Sequence, residues 1–98
     1  MARSKITRSH STFTPSAEKL RRWAEKEPAI TKISAGWITR TNQSQLHLKI
    51  KENEPACLVV CVKANSAHQE VRLYCQQEYR KMLIRLLFAY AKENNFST

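Results

Sequence analysis

Between Gln45 and Cys75 apolar and polar residues follow one another in three consecutive runs, each bounded by polar turn residues. Leu46, Leu48 and Ile50 alternate with Gln45, His47, Lys49 and Lys51, the period of a strand with one face buried and one wet. Ala56 to Ala64 is an almost unbroken apolar run, which predicts the best-covered strand. Val71, Leu73 and Cys75 then alternate with Glu70, Arg72 and Tyr74. Upstream, Ile30 to Arg40 reads as another strand. Its lone Gly36 predicts a bulge or a close backbone approach. A regular strand here would put Ile33, Ala35 and Trp37 on one face and Ile38 on the other. Thr41–Ser44, Lys51–Pro55 and Asn65–Ala67 read as short polar turns, a spacing that favours an antiparallel meander.

Helical periodicity brackets these strands. Thr14 suits an N-cap and Pro15 a first helical turn, where its missing N–H has no helical partner. Ala17, Leu20, Trp23 and Ala24 recur on one face, and Glu18 stands four residues before Arg22, the favourable order for a pair. Lys26-Glu27-Pro28 ends the helix, because the residue before proline avoids the helical region. The closing helix runs from Gln76 to Lys92 with two apolar stripes, Tyr79, Met82, Leu83, Leu86 and Tyr90, then Ile84, Leu87, Phe88 and Ala91. Two stripes suit a helix buried on two sides, or one that offers a face to a homodimer or another protein partner. The order α-β-β-β-β-α predicts an α+β two-layer sandwich, two helices on one face of a four-stranded, mostly antiparallel sheet. Residues 1–9 form a basic tail, 10–93 the single domain and 94–98 a disordered end.

Charge narrows the partners. Seventeen basic and eight acidic residues leave a formal net charge of +9, which favours polyanionic partners, chiefly nucleic acid or an anionic membrane surface. A basic surface kept for solubility is the plain alternative. One glycine excludes Gly-rich phosphate loops, and the absence of Asp speaks against carboxylate-rich sites for hard cations. Three cysteines, with no secretory leader and no long apolar span, predict a reduced, cytoplasmic protein that does not enter the membrane. No nucleophile motif or paired-acid arrangement points to an enzyme, so no catalytic residue is assigned.

The sheet face away from the helices is the main candidate surface. It is expected to carry Arg40, His47, Lys49, Lys51, His68, Arg72 and Tyr74, with Arg3, Lys5 and Arg8 reaching from the tail. Cations for phosphates and a ring for stacking suit RNA or DNA. An exposed sheet face is also polar for a simpler reason, to discourage strand pairing. Cys57 and Cys61 would lie about 13 Å apart along a strand, too far to share one ion. Cys75 is free to join a histidine of a neighbouring strand. His10, in His10-Ser11-Thr12 just before the first helix, suits a loop facing water, a metal ligand or an anion contact beside the helix start.

His10-Ser11-Thr12 with Pro15 shortly after, the isoleucine-rich segment ending at Gly36, Leu46-His47-Leu48-Lys49-Ile50 and Gln69-Glu70-Val71 together resemble a small prokaryotic family, common in cyanobacteria and described as metal-binding. The resemblance spans Ile6 to Cys75; the final helix is extra. It implies a transition metal such as zinc, with His10 as a ligand and Glu70 as an oxygen ligand. Phe13 stands where the family's His-Ser-Thr-His has its second histidine, and Ser16 where it has a glycine.

Overall fold

The computed structural model describes residues 13–40, 47–54, 57–64 and 67–97, without the side chains of 51–54 and 64. The order is α1 (Pro15–Glu25), β1 (Ile30–Arg40), β2 (His47–Glu54), β3 (Cys57–Ala64), β4 (Ala67–Cys75), a 3-10 turn at Gln77–Tyr79 and α2 (Arg80–Glu93). It is an α+β fold with a four-stranded antiparallel sheet.

α1 starts and stops where its end residues dictate. Thr14 Oγ1 accepts from the Ala17 N–H at 3.3 Å and its carbonyl takes the first helical bond, from Glu18 N at 2.7 Å. Pro28 stops the chain from continuing helically, and the Lys26 and Glu27 amides close the last turn on Trp23 and Ala24. Glu18 bonds both Arg21 and Arg22, and Arg21 also reaches Glu25 at 3.1 Å. Ala17, Leu20 and Ala24 are fully buried against the sheet.

Strand order in the sheet is β1-β4-β3-β2. β2, β3 and β4 form the expected meander, but β1 pairs with β4, so β1 and β2 stand at opposite edges. A hairpin from β1 into β2 is therefore ruled out, and the Thr41–Ser44 turn lies outside the described residues. The arrangement is a Greek key run from its far end. β4 takes a central place because both of its sides are coverable. Gln69, Val71, Leu73 and Cys75 are buried under the helices, while His68, Glu70, Arg72 and Tyr74 are half-buried on the other side.

Gly36 marks a bulge. Ala35 pairs with Val71 and Ile38 with Gln69, so Gly36 and Trp37 together face Glu70. The extra residue inverts the alternation beyond it. Ile33, Ala35 and Ile38 share the helix side, and Trp37 goes to the open side, the reverse of what a regular strand would give Trp37 and Ile38. Arg40 is displaced too: it pairs with Ala67 on the register side of Gln69, not with the basic face.

Leu58, Val60 and Val62 of β3 meet Leu20, Ile33, Leu83 and Leu87 in one core. α2 buries Leu83, Leu87, Tyr90 and Ala91, with Ile84 and Leu86 partly covered. Its exposed apolar residues, Met82 and Phe88, fall on opposite flanks of that stripe and not on one continuous patch. Among the described residues no helix is long and apolar enough to cross a membrane.

Residues 94–97 cap α2 and turn back to the sheet. Asn95 takes a left-handed φ of 61°, the Phe96 N–H bonds the Ala91 carbonyl at 2.7 Å and the Asn95 N–H reaches Lys92 at 3.3 Å. These are the two bonds of a Schellman cap. Phe96 then packs beside Tyr90, ring centroids 6.0 Å apart, and the Ser97 carbonyl accepts from the Leu48 N–H at 2.8 Å. The chain thus caps part of the β2 edge.

Candidate functional site

The register lays the helix-free side of the sheet out in four rows. Lys32, Tyr74, Cys57 and Glu54 make the first, and Ser34, Arg72, Val59 and Lys51 the second. Gly36 with Trp37, Glu70, Cys61 and Lys49 make the third, and Thr39, His68, Lys63 and His47 the fourth. His47, Lys49, Lys51, His68, Arg72 and Tyr74 therefore share this side, as the alternation predicts. For Lys51 the backbone register alone is described. Arg40 is carried off by the bulge. Arg3, Lys5, Arg8 and His10 lie outside the described residues.

The middle of this side is a run of small buried residues. Cys57, Val59 and Cys61 are almost fully buried on the side away from the described helices. They sit on the central strand β3 between the longer side chains of β2 and β4, which is why their continuous apolar run is tolerated. Around this run stand Lys32, Lys49, Lys63 and Arg72, against one carboxylate among the described side chains, that of Glu70. Trp37, which a regular strand would place with Ile33 and Ala35, is 69% exposed. Tyr74 is the weaker platform of the two rings, because the Lys32 ammonium sits over it, 5.1 Å from the centroid.

Rows three and four bring three metal-type donors together. A sulfur of Cys61, a ring nitrogen of His68 and a carboxylate oxygen of Glu70 all lie within 4.8 Å of one another. Cys61 and Glu70 are a direct cross-strand pair and His68 is two residues before Glu70 on the same side, so the sheet itself sets this spacing. In the metal-free arrangement the Cys61 thiol donates to Glu70 Oε2 at 3.8 Å, and Thr39 Oγ1 lies 3.3 Å from His68 Nδ1. The group can hold a metal ion. Of the two ligands carried over from the resemblance, Glu70 is in it. Cys61 and His68 had not been linked to it, because pairing them requires the β3–β4 register. The signal was present: two residues separate Ala64 from Ala67, and a hairpin that closes there pairs Cys61 with Glu70.

The other cysteines take no part. Cys57 is two rows from Cys61, as strand spacing requires. Cys75 faces the helices inside the apolar core, where burial pushes its thiol pKa up, and it joins no histidine among the described residues. Beside the donor group, Ala35, Gly36, Trp37 and Arg72 line an open recess. The Arg72 Nε is buried there and meets no acceptor among the described residues. No family model, curated protein or solved structure matches the chain.

Proposed function

We propose that the protein is a non-enzymatic nucleic-acid-binding module that uses the helix-free side of its sheet. One observation carries this reading: the cations Lys32, Lys49, Lys63 and Arg72 share that side, with Glu70 as its one described carboxylate. A chain of net charge +9 that gathers cations on one side of its sheet presents a field suited to a phosphate backbone. The tail residues Arg3, Lys5 and Arg8 would add to the same field. The test is oligonucleotide binding across salt concentrations. Lys49→Gln with Lys63→Gln is expected to weaken binding and to lower the slope of log affinity against log salt by about 0.7 to 0.9 per lost contact. The exposed α1 cations Lys19 and Arg22 serve as controls. An unchanged slope in the sheet variant would sink the reading.

A second activity is favoured by the Cys61–His68–Glu70 group. Thiolate, neutral imidazole and carboxylate form a donor set for a borderline cation such as zinc, with a fourth position left to water or another residue. Hard cations are poorly served by a sulfur ligand. Cobalt(II) titration reports directly on sulfur ligation through a thiolate charge-transfer band. That band should disappear in Cys61→Ser and weaken in His68→Ala and Glu70→Gln. The same titration on His10→Ala shows whether the histidine singled out by the resemblance joins the site.

A further inference from the structure

We infer that Trp37 and Arg72 form a single-nucleotide subsite, by which the sheet selects unpaired strands over duplex. The inference rests on the nucleic-acid reading and specifies which form of nucleic acid the face takes.

The bulge is the first observation. Gly36 and Trp37 together face Glu70, and the extra residue turns the indole away from the helices onto the basic side. A regular strand would place this ring on the side of Ile33 and Ala35. Instead it is 69% exposed, the most exposed of the large hydrophobic side chains among the described residues. The recess is the second. It lies between Trp37 and Arg72 with Ala35 and Gly36 as backbone-rich walls. Arg72 is the third. It is half-buried between β1 and β3, makes no ion pair among the described residues, and its Nε meets no acceptor there. A guanidinium with no ion-pair partner among the described residues, and with an Nε that meets no acceptor there, suits a phosphate oxygen.

The two groups match the two ends of a nucleotide. A flat indole offers a face to any base, and the cation beside it offers charge to the phosphate. Bases in a duplex have both faces covered by their neighbours, so they cannot stack on a protein ring without being extruded. Tyr74 does not duplicate the platform, since Lys32 occupies its ring.

The experiment uses the intrinsic fluorescence of the full chain, which has two tryptophans, Trp37 and the half-buried Trp23. The probes are oligothymidine of about a dozen nucleotides, within the usual site size of single-strand binders, and a duplex of equal length. Oligothymidine should quench the wild-type protein and Trp23→Phe, and should leave the emission of Trp37→Phe unchanged. Trp37→Ala should lose about tenfold in single-strand affinity, whereas Trp37→Phe should keep most of it. Arg72→Lys, which retains the charge, should also weaken binding. Duplex binding should be weaker and indifferent to Trp37→Ala. Trp37 is exposed, so its variants are expected to fold, and circular dichroism checks this. Oligothymidine binding with no quench and no loss in Trp37→Ala overturns the subsite and leaves the nucleic-acid reading standing. Duplex binding that is equally tight and equally sensitive to Trp37 overturns the selectivity. Failure of the wild-type protein to bind any oligonucleotide overturns both.

Discussion

Gly36 lies against Glu70 so closely that a Cβ at Gly36 would overlap the Glu70 carbonyl oxygen and come within 2.9 Å of the Glu70 Cβ. The contact is with backbone, which cannot swing aside. Gly36→Ala is therefore expected to destabilise the fold by about 2 to 3 kcal/mol, the upper part of the range for overpacked sites. Chemical denaturation measures this. The change should also disturb Trp37 and Glu70, so a variant as stable as the wild type would show that the bulge is not pinned at this point.

Gln69 joins the sheet to the start of α1. It is fully buried, and its Oε1 accepts from the Thr14 N–H at 2.6 Å. Gln69→Leu keeps the volume and removes the acceptor, stranding an amide donor in the interior. The expected cost is on the order of 2 kcal/mol. Hydrogen exchange should show faster exchange in the first turn of α1 than in β3.

Tyr90 sets a pH dependence at the alkaline end. Burial pushes its phenol up to about 12, and its hydroxyl meets no partner among the described residues. The unfolded phenol titrates near 10. Between these values the unfolded chain has released a proton that the folded chain keeps, so stability falls as pH rises through this window and levels off above it. The loss is about 2 to 3 kcal/mol. Tyr90→Phe should remove this component. At neutral pH it should be neutral or stabilising by about 1 kcal/mol, since it deletes a buried hydroxyl without a bond. A variant with the same alkaline decline as the wild type would assign that decline elsewhere.

The cap after α2 gives a paired prediction. Asn95 holds a left-handed φ of 61°, which glycine tolerates better and a β-branched residue tolerates badly. Asn95→Gly should be equal to or more stable than the wild type. Asn95→Val should lose about 1 to 2 kcal/mol and release Phe96 from Tyr90. Thermal melts of the pair settle the point.

Local rules made much of this fold readable in the sequence. Thr14 and Pro15 opened α1, Pro28 closed it, and Gly36 announced its bulge, because each acts on its own backbone. Period-two alternation likewise placed His68, Arg72 and Tyr74 on one side of β4. What the bulge did to the residues after it was missed: the alternation inverts, Trp37 and Ile38 exchange sides, and Arg40 leaves the basic face. The placement of β1 was also hidden. Short turns suggested pairing with β2, but the central position went to β4, whose two sides are both coverable. The Cys61–His68–Glu70 group depended on register between two strands. The order of residues along the chain does not state that register unless the hairpin is counted from Ala64 and Ala67.

The strand order has a kinetic consequence. β2, β3 and β4 find their partners across short connections, whereas β1 must wait for β4, which the chain supplies only after β2 and β3. Closing the larger loop costs more entropy, so the meander is expected to assemble first and β1 to dock last. β1 is also an edge strand, so an opening confined to it would leave β3 protected. Such an opening would dismantle the recess between Trp37 and Arg72 while the pairing of Cys61 with Glu70 persisted. The two candidate sites thus depend on different strand pairings of one small sheet, β1 with β4 for the recess and β3 with β4 for the donor group.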